Sequence, residues 1–493
     1  MTRWNITLGA LAAAALVTAC GGGSSSGGAG SSFDLSGAPG SLVATPTELA
    51  SLSPAAFKAA APASLFLVAG EPKCTISFNY FQYGTTGGAG EKTDASGGIM
   101  VPSGTDPACQ GPRPVLLYGH GTNLNKNMNM ASPREGEAAL IAAIYAAQGY
   151  IVVAPNYAGY ESSKLSYHPY LNAKQQSGEM IDALTAARKS FASIGANANA
   201  KLFVAGYSQG GHVSMATQRA LQAAGTPVTA GAHLSGPYNL GTFGDAVYAG
   251  NVNLGATIFT PLVTTSFQKA YGNLYASPSE IYEDKFVTGI ETLLPSTTPL
   301  NGTSTGLLET GKLPATFLFA GTASSPQFAP FFGTPNLIKT SFRQAVLADI
   351  VANPTTPTHP LRVASVKNSL LDWTPNKPML LCGGNGDPTV FFGVNTTAAK
   401  AYFTSKGVPD PVVTTLDVDS APTSAADPFA LAKGGFGQLK AKTAADAAAA
   451  ATAAGKTPLE VQIAAATAVV QAYHGGLVPP FCQAAAKGYF SQF

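Results

Sequence analysis

Between an apolar run and a helical one the chain reads Gly206-Tyr207-Ser208-Gln209-Gly210. A serine with glycine two places before it and two after it suits one kind of turn. The chain reverses sharply from strand to helix, and side chains at the flanking positions would collide. The serine hydroxyl then stands exposed at the C-terminal end of the strand, with unpaired N–H groups of the new helix beside it. Such a serine is placed to attack a carbonyl, and the Gln209 N–H is placed to meet the oxyanion that develops. A solvated serine in a Gly-rich turn would share the spacing but would not need a strand before it and a helix after it.

A serine hydroxyl is a weak nucleophile until a base takes its proton, and the base needs an acid to orient it. On this kind of turn the chain order is serine, acid, histidine. Of the six histidines, His359 and His474 follow Ser208 at a useful distance. His474, in Tyr473-His474-Gly475-Gly476 after the last expected strand, is the expected base. His359, in a loop rich in Pro and Thr, is the alternative. The expected acid is Asp387, presented by a Gly-rich loop after the apolar run Met379–Cys382; Asp417 and Asp419 are the alternatives. A second oxyanion donor should follow the third strand, in Leu117-Tyr118-Gly119-His120-Gly121-Thr122-Asn123. That segment resembles the His-Gly-x loop of lipases and esterases. The resemblance implies that the Thr122 N–H is the donor, with Gly121 the alternative, and that His120 holds the loop. His120, Tyr157 and Tyr207 are also expected near the substrate, with Tyr160 and Tyr170 beside them.

These residues need a scaffold. Strand-like runs cover Thr75–Tyr80, Gly97–Val101, Pro114–Tyr118, Tyr150–Ala154, Lys201–Ala205, Ala230–Leu234, Met379–Cys382 and Val412–Asp417. Helical periodicity covers 135–148 and 173–192. The runs beginning at Val115, Ile151 and Leu202 are continuously apolar, as parallel strands buried on both faces are. The expectation is an α/β fold with a mostly parallel eight-stranded sheet flanked by helices. The first two strands should pair as a hairpin around Gly84–Gly90. Residues 240–375 contain no clear strand and read as an inserted helical cap; catalytic segments at 71–239 and 376–493 flank it. The cap's Phe243, Phe259, Phe317, Phe319, Phe328, Phe331 and Phe332 suit a wall for an acyl or aryl group or a core of the cap's own. Residues 420–472 form a second, Ala-rich insertion, with helices expected at 443–454 and 458–473.

The first 20 residues read as an export signal: Arg3, a short apolar stretch from Ile6 to Val17, then small residues leading into Cys20. The ending Val17-Thr18-Ala19-Cys20 resembles the bacterial lipoprotein box, which implies a lipidated Cys20 anchored to a membrane. Residues 21–70 are then a flexible tether and an irregular or partly helical lead-in. Gly21 after the cysteine implies the outer membrane or cell surface. The remaining cysteines, Cys74, Cys109, Cys382 and Cys482, suffice for two disulfides in an oxidising compartment. Three pairings are open. Cys74–Cys109 would staple the first hairpin, and Cys382–Cys482 would tie the acid loop to the base loop.

Lys and Arg number 28, Asp and Glu 26, and charged residues are only 11% of the chain. With a net charge of +2, there is no electrostatic footprint for nucleic acid. Gly455-Lys456-Thr457 lacks the preceding glycine of a P-loop, and Gly87–Thr93 lacks a dinucleotide fingerprint. No Cys/His cluster has metal-ligand spacing. No cofactor, metal or protein partner is expected.

From about Cys74 to Phe493 the chain resembles the α/β-hydrolase family, most closely its secreted bacterial and fungal lipases and esterases with a large helical cap. Gly119–Thr122, Val153-Ala154-Pro155-Asn156-Tyr157, Gly206–Gly210, Gly384–Asp387 and His474 carry the likeness. It implies ester hydrolysis through an acyl-serine. The long insertion before His474 departs from the family's usual length. A serine peptidase or a polyester or oligomer depolymerase of the same fold would use the same residues. A silent surface-binding lipoprotein would be the alternative of another class.

Overall fold

The computed structural model describes residues 37–297, 311–424 and 426–493. The expected signal peptide, Cys20 and most of the Gly/Ser tether lie outside them. Among the described residues one sheet runs in the order β1-β2-β3-β5-β4-β6-β7-β8-β9. The strands are β1 Thr47–Leu52, β2 Thr75–Thr86, β3 Lys92–Ser103, β4 Arg113–Gly119, β5 Ile151–Pro155, β6 Ala198–Tyr207, β7 Ala230–Leu234, β8 Met379–Gly383 and β9 Val413–Asp417. From β5 to β9 every neighbouring pair is parallel, and β1, β2 and β3 add an antiparallel edge.

The sheet therefore has nine strands, not eight. The extra one, β1, lies in the expected lead-in, and the short helices Pro54–Ala60 and Ala63–Ala69 follow it. Its residues, Thr-Glu-Leu-Ala-Ser-Leu, are exposed or half-buried. An edge strand held by backbone pairing to β2 carries little hydrophobic pattern to read. The β2–β3 hairpin is also longer than expected and pairs from Thr75↔Ser103 to Thr86↔Lys92. The central strands β5, β7 and β8 are buried along their whole length, and β5 and β8 accordingly read as unbroken apolar runs.

Strand order sets the position of the site. After β4 the chain crosses to β5 on one side, then returns to place β6 on the other side of β4. Loops leaving β4 and β6 thus diverge at the carboxyl end of the sheet, where open α/β sheets bind ligands. Tyr118 pairs with Ala205, and Gly119 with Gly206. The His-Gly-Thr loop and the serine turn leave the sheet side by side.

Between β7 and β8 the described residues include a second cluster of buried side chains, among them Phe267, Ile281, Tyr282, Leu318, Phe319 and Leu337. Its helices include Leu240–Ala249, Ala256–Tyr271, Thr340–Ala352 and Pro360–Lys367. Arg362 cross-ties three of these segments: it donates from Nε and Nη2 to Asp245 at 2.8 Å each and from Nη1 to Asp349 at 2.6 Å. The later insertion is a helical hairpin, Ala430–Ala453 and Pro458–Ala472, so its first helix starts well before the expected residue 443. Thr457 and Glu460 form a capping box at the second helix. That helix runs into a π-helical turn, Tyr473–Leu477, and then the final helix Val478–Phe490. Of the three open pairings the structure forms Cys74–Cys109, across a 35-residue separation, and Cys382–Cys482, across 100.

Candidate active site

Ser208 stands between β6 and the helix Gln209–Ala223 with φ 59° and ψ −120°. This is a conformation that L-residues rarely adopt. The flanking glycines are sterically required. A Cβ on Gly206 would lie 2.1 Å from the Gly210 carbonyl oxygen, and one on Gly210 would lie 1.9 Å from that of Gly119. The Ser208 N–H donates to the Leu234 carbonyl at 2.9 Å, which pins the turn to β7.

The three expected residues meet. His474 Nε2 lies 2.8 Å from Ser208 Oγ, and His474 Nδ1 lies 2.7 Å from Asp387 Oδ2. The other Asp387 oxygen accepts the Thr389 and Val390 N–H groups at 2.8 and 3.0 Å. With Oδ1 occupied by two backbone donors, Oδ2 is left to take the proton of His474 Nδ1. That choice of tautomer leaves the Nε2 lone pair facing the serine hydroxyl. The Asp387 side chain is 1% exposed and that of His474 12%, so the pair is screened from water.

The alternatives fall elsewhere. Asp417 accepts from the Asn385 backbone and side chain at 3.0 and 2.7 Å and so braces the acid loop. Asp419 takes the Tyr473 hydroxyl at 2.6 Å and the Lys440 ammonium at 2.7 and 2.9 Å. The same Tyr473 hydroxyl accepts the Gly386 N–H at 3.0 Å. Lys440 of the inserted hairpin is thereby linked to both the acid loop and the histidine segment. His359 belongs to the cap and packs edge-on to Phe342.

Two N–H groups at the serine are free. Those of Gln209 and Thr122 have no hydrogen-bond partner among the described residues. The Gly121 N–H is not free: it donates to the Glu137 carboxyl oxygens at 3.0 and 3.1 Å. Thr122 is further fixed by a 2.7 Å bond between its hydroxyl and that of Tyr170. The Gln209 side chain donates to His168 Nε2 at 2.6 Å, while His168 Nδ1 donates to the Ala158 carbonyl. Burial pushes the His168 imidazole down to about 3, so it stays neutral and holds Gln209 in one orientation.

A cavity of about 110 Å³ opens from Ser208 and Gln209 into the cap. Phe243, Val247, Phe259, Val263 and Leu361 supply apolar wall, and Tyr170 borders it from the β5 side. Of the cap aromatics singled out in the sequence, only Phe243 and Phe259 line it. Phe319 and Phe332 pack in the cap's own core. His120, Tyr157 and Tyr207 do not line it either. Both His120 ring nitrogens face backbone carbonyls, those of Gly121 and Asn156, and burial pushes the imidazole down to about 4. Tyr157 stacks on His120 and donates to its carbonyl. Tyr207 donates to the His474 carbonyl at 2.5 Å. These side chains hold loops in place; they were picked out because they neighbour the motifs along the chain. The aliphatic wall residues and Glu137 were missed. Apolar helical spacing does not separate a cavity wall from a core, and Glu137 stands near the oxyanion loop only through the fold.

A serine hydrogen-bonded to a buried His–Asp pair, two N–H groups without partners and an apolar cavity make an arrangement that can carry out acyl transfer. The model of the secretory lipase family matches residues 132–273, which include the serine turn. The rice cell wall degrading esterase LipA from Xanthomonas oryzae is 29% identical, with TM-score 0.65 over 80% of this chain and 95% of that one. The chain is an α/β-hydrolase of the lipase and esterase type. Two further structures share the hydrolase fold. A hydrolase from Legionella pneumophila is 21% identical, with TM-score 0.61 over 76% of this chain and 91% of that one. Candida antarctica lipase A in its closed state is 12% identical, with TM-score 0.50 over 90% and 95%. No curated protein sequence matches this hydrolase.

Proposed function

We propose that this ester hydrolase acts on esters with an apolar acyl or aryl group through an acyl-serine intermediate on Ser208. His474 Nε2 takes the serine proton as Oγ attacks the carbonyl, and Asp387 holds the imidazole and stabilises it when charged. The Gln209 and Thr122 N–H groups receive the oxyanion. His474 then protonates the leaving alcohol, and water repeats the sequence on the acyl-enzyme. The single observation that carries the reading is the hydrogen-bonded line Asp387–His474–Ser208 beside two unpaired N–H groups. The apolar cavity supports the substrate class. The test is turnover of a p-nitrophenyl ester series, acetate to palmitate, by the wild type and by Ser208→Ala. The expected result is turnover by the wild type, with the alanine variant slower by about 10⁴-fold or more. Turnover by Ser208→Ala near the wild-type rate would overturn it.

The export reading belongs to the same proposal: residues 1–20 direct secretion, and a lipidated Cys20 anchors the enzyme at the outer membrane or cell surface. The secretory lipase match and the two disulfides support export. No helix among the described residues is long and apolar enough to cross a membrane, so an anchor would come from the leader. Incorporation of labelled palmitate that is lost in Cys20→Ala supports the anchor; equal labelling of both forms, or none, overturns it. The division at 240 and 375 into catalytic segments and cap is proposed on the separate cluster of buried residues between β7 and β8.

A further inference from the structure

Behind the oxyanion loop lies a buried hydrogen-bond chain that the proposed mechanism leaves unused. Glu137 stands in the first turn of the helix Gly136–Ile144. Its two oxygens share the Gly121 N–H at 3.0 and 3.1 Å. Its Oε1 also accepts the Tyr118 hydroxyl at 2.7 Å. That hydroxyl accepts from Gln483 Nε2 at 2.8 Å, and Gln483 Oε1 accepts from the Tyr145 hydroxyl at 3.0 Å. The chain has one direction, Tyr145 to Gln483 to Tyr118 to Glu137, because its end group accepts and does not donate when ionised. Gln483 follows Cys482, whose disulfide partner Cys382 lies in β8. One turn of the final helix therefore reaches the acid strand by a covalent bond and the oxyanion loop by hydrogen bonds.

Gly121 lies between the carboxyl and the nucleophile. A Cβ on it would be 3.5 Å from Glu137 Oε2 and 3.7 Å from the Ser208 Cβ. An anion this close opposes the charge that develops on the substrate oxygen, so its contribution must be geometric. By taking the Gly121 N–H it turns that donor away from the serine and fixes the peptide that follows. We propose that Glu137 is a positioning residue for the hydrolase: it captures the Gly121 N–H so that the Thr122 N–H is the loop's oxyanion donor, and Tyr118 and Gln483 hold the carboxyl in place. The inference rests on the acyl-serine reading of Ser208.

Tyr118 from β4, Tyr157 after β5, Tyr207 from β6 and Glu135 on its own segment are the titratable groups facing Glu137. Burial raises the carboxyl to about 7, against the bonds from Tyr118 and Gly121 and with repulsion from Glu135. As pH falls through that value the clamp is protonated and loses acceptor capacity. The acid limb of the rate profile then contains this ionisation.

The experiment measures kcat and KM on p-nitrophenyl butyrate, the fluorophosphonate labelling rate and the pH profile. It uses wild type, Glu137→Gln, Tyr118→Phe and Ser208→Ala. For Glu137→Gln the expected kcat is lower by about 10- to 100-fold, less than the loss of a whole oxyanion donor. KM should stay within about twofold, labelling should slow in parallel, and the acid limb should lose the ionisation near pH 7. Wild-type kcat and labelling in folded Glu137→Gln would overturn the inference, as would a change in KM alone. If that variant does not fold, Tyr118→Phe decides: reduced kcat and labelling support the inference and wild-type values overturn it. Activity surviving in Ser208→Ala would instead overturn the acyl-serine reading beneath it.

Discussion

Ser208 is held in a conformation that costs about 1–3 kcal/mol in an L-residue, and the surrounding contacts keep it there. Ser208→Gly should therefore raise stability by about 1 kcal/mol, seen as a higher denaturation midpoint, while abolishing ester turnover. A lower midpoint would show that the turn is not strained. Asp387→Asn should keep the fold but lose about 10³- to 10⁴-fold in kcat, because an amide can donate to Nδ1 and favour the wrong tautomer. A steady-state assay on the purified variant checks it. Gly210→Ala differs in kind: with a Cβ 1.9 Å from the Gly119 carbonyl, β4 and the nucleophile turn cannot stay adjacent, and little soluble protein is expected.

At the scale of elements, helices between β7 and β8 supply much of the cavity wall, and the final helix is bonded to both β8 and β4. Val247 lines the cavity from the helix Leu240–Ala249. Val247→Trp should fill part of it, lowering kcat/KM on octanoate and longer esters by about tenfold or more. Acetate turnover should stay within a few-fold; equal losses on both esters would place the acyl group elsewhere. The Cys382–Cys482 bridge closes a 100-residue separation, for which the loop-entropy model gives up to about 4–5 kcal/mol. Cys382→Ser should lower the melting temperature by several degrees, and calorimetry under oxidising conditions reads it. The inserted hairpin also reaches the segment before His474, through Lys440 on Asp419, which accepts the Tyr473 hydroxyl.

For the whole molecule, a buried carboxyl with a raised pKa makes part of the stability depend on pH. Burial raises the Glu179 carboxyl to about 8, even though Gln175, Ala158 and Tyr83 donate to it. A carboxyl whose folded pKa is raised binds its proton more tightly in the folded state. Its contribution is fully present below the unfolded pKa of about 4.3 and is lost as pH rises through about 8. Glu179→Gln should flatten the fall in melting temperature between pH 5 and pH 9; an unchanged slope would show that this carboxyl is ionised throughout.

The meeting of Ser208, His474 and Asp387 was legible in the sequence because each position depends on local chemistry. Two glycines make the serine turn possible, a Gly-rich loop after a buried strand presents Asp387, and a histidine after the last strand is where the chain can return to the serine. The parallel strands were legible because burial on both faces leaves an unbroken apolar run. Edge strand β1 was not, because only Ala50 and Leu52 of it pack against the core, both half-buried, and the rest is held by backbone pairing. Glu137, Asp245 and Arg362, and the division of the cap's aromatics between wall and core, were decided only by tertiary structure. Their partners are distant in the chain, and one residue type serves equally as core, wall or clamp until packing brings its neighbours to it.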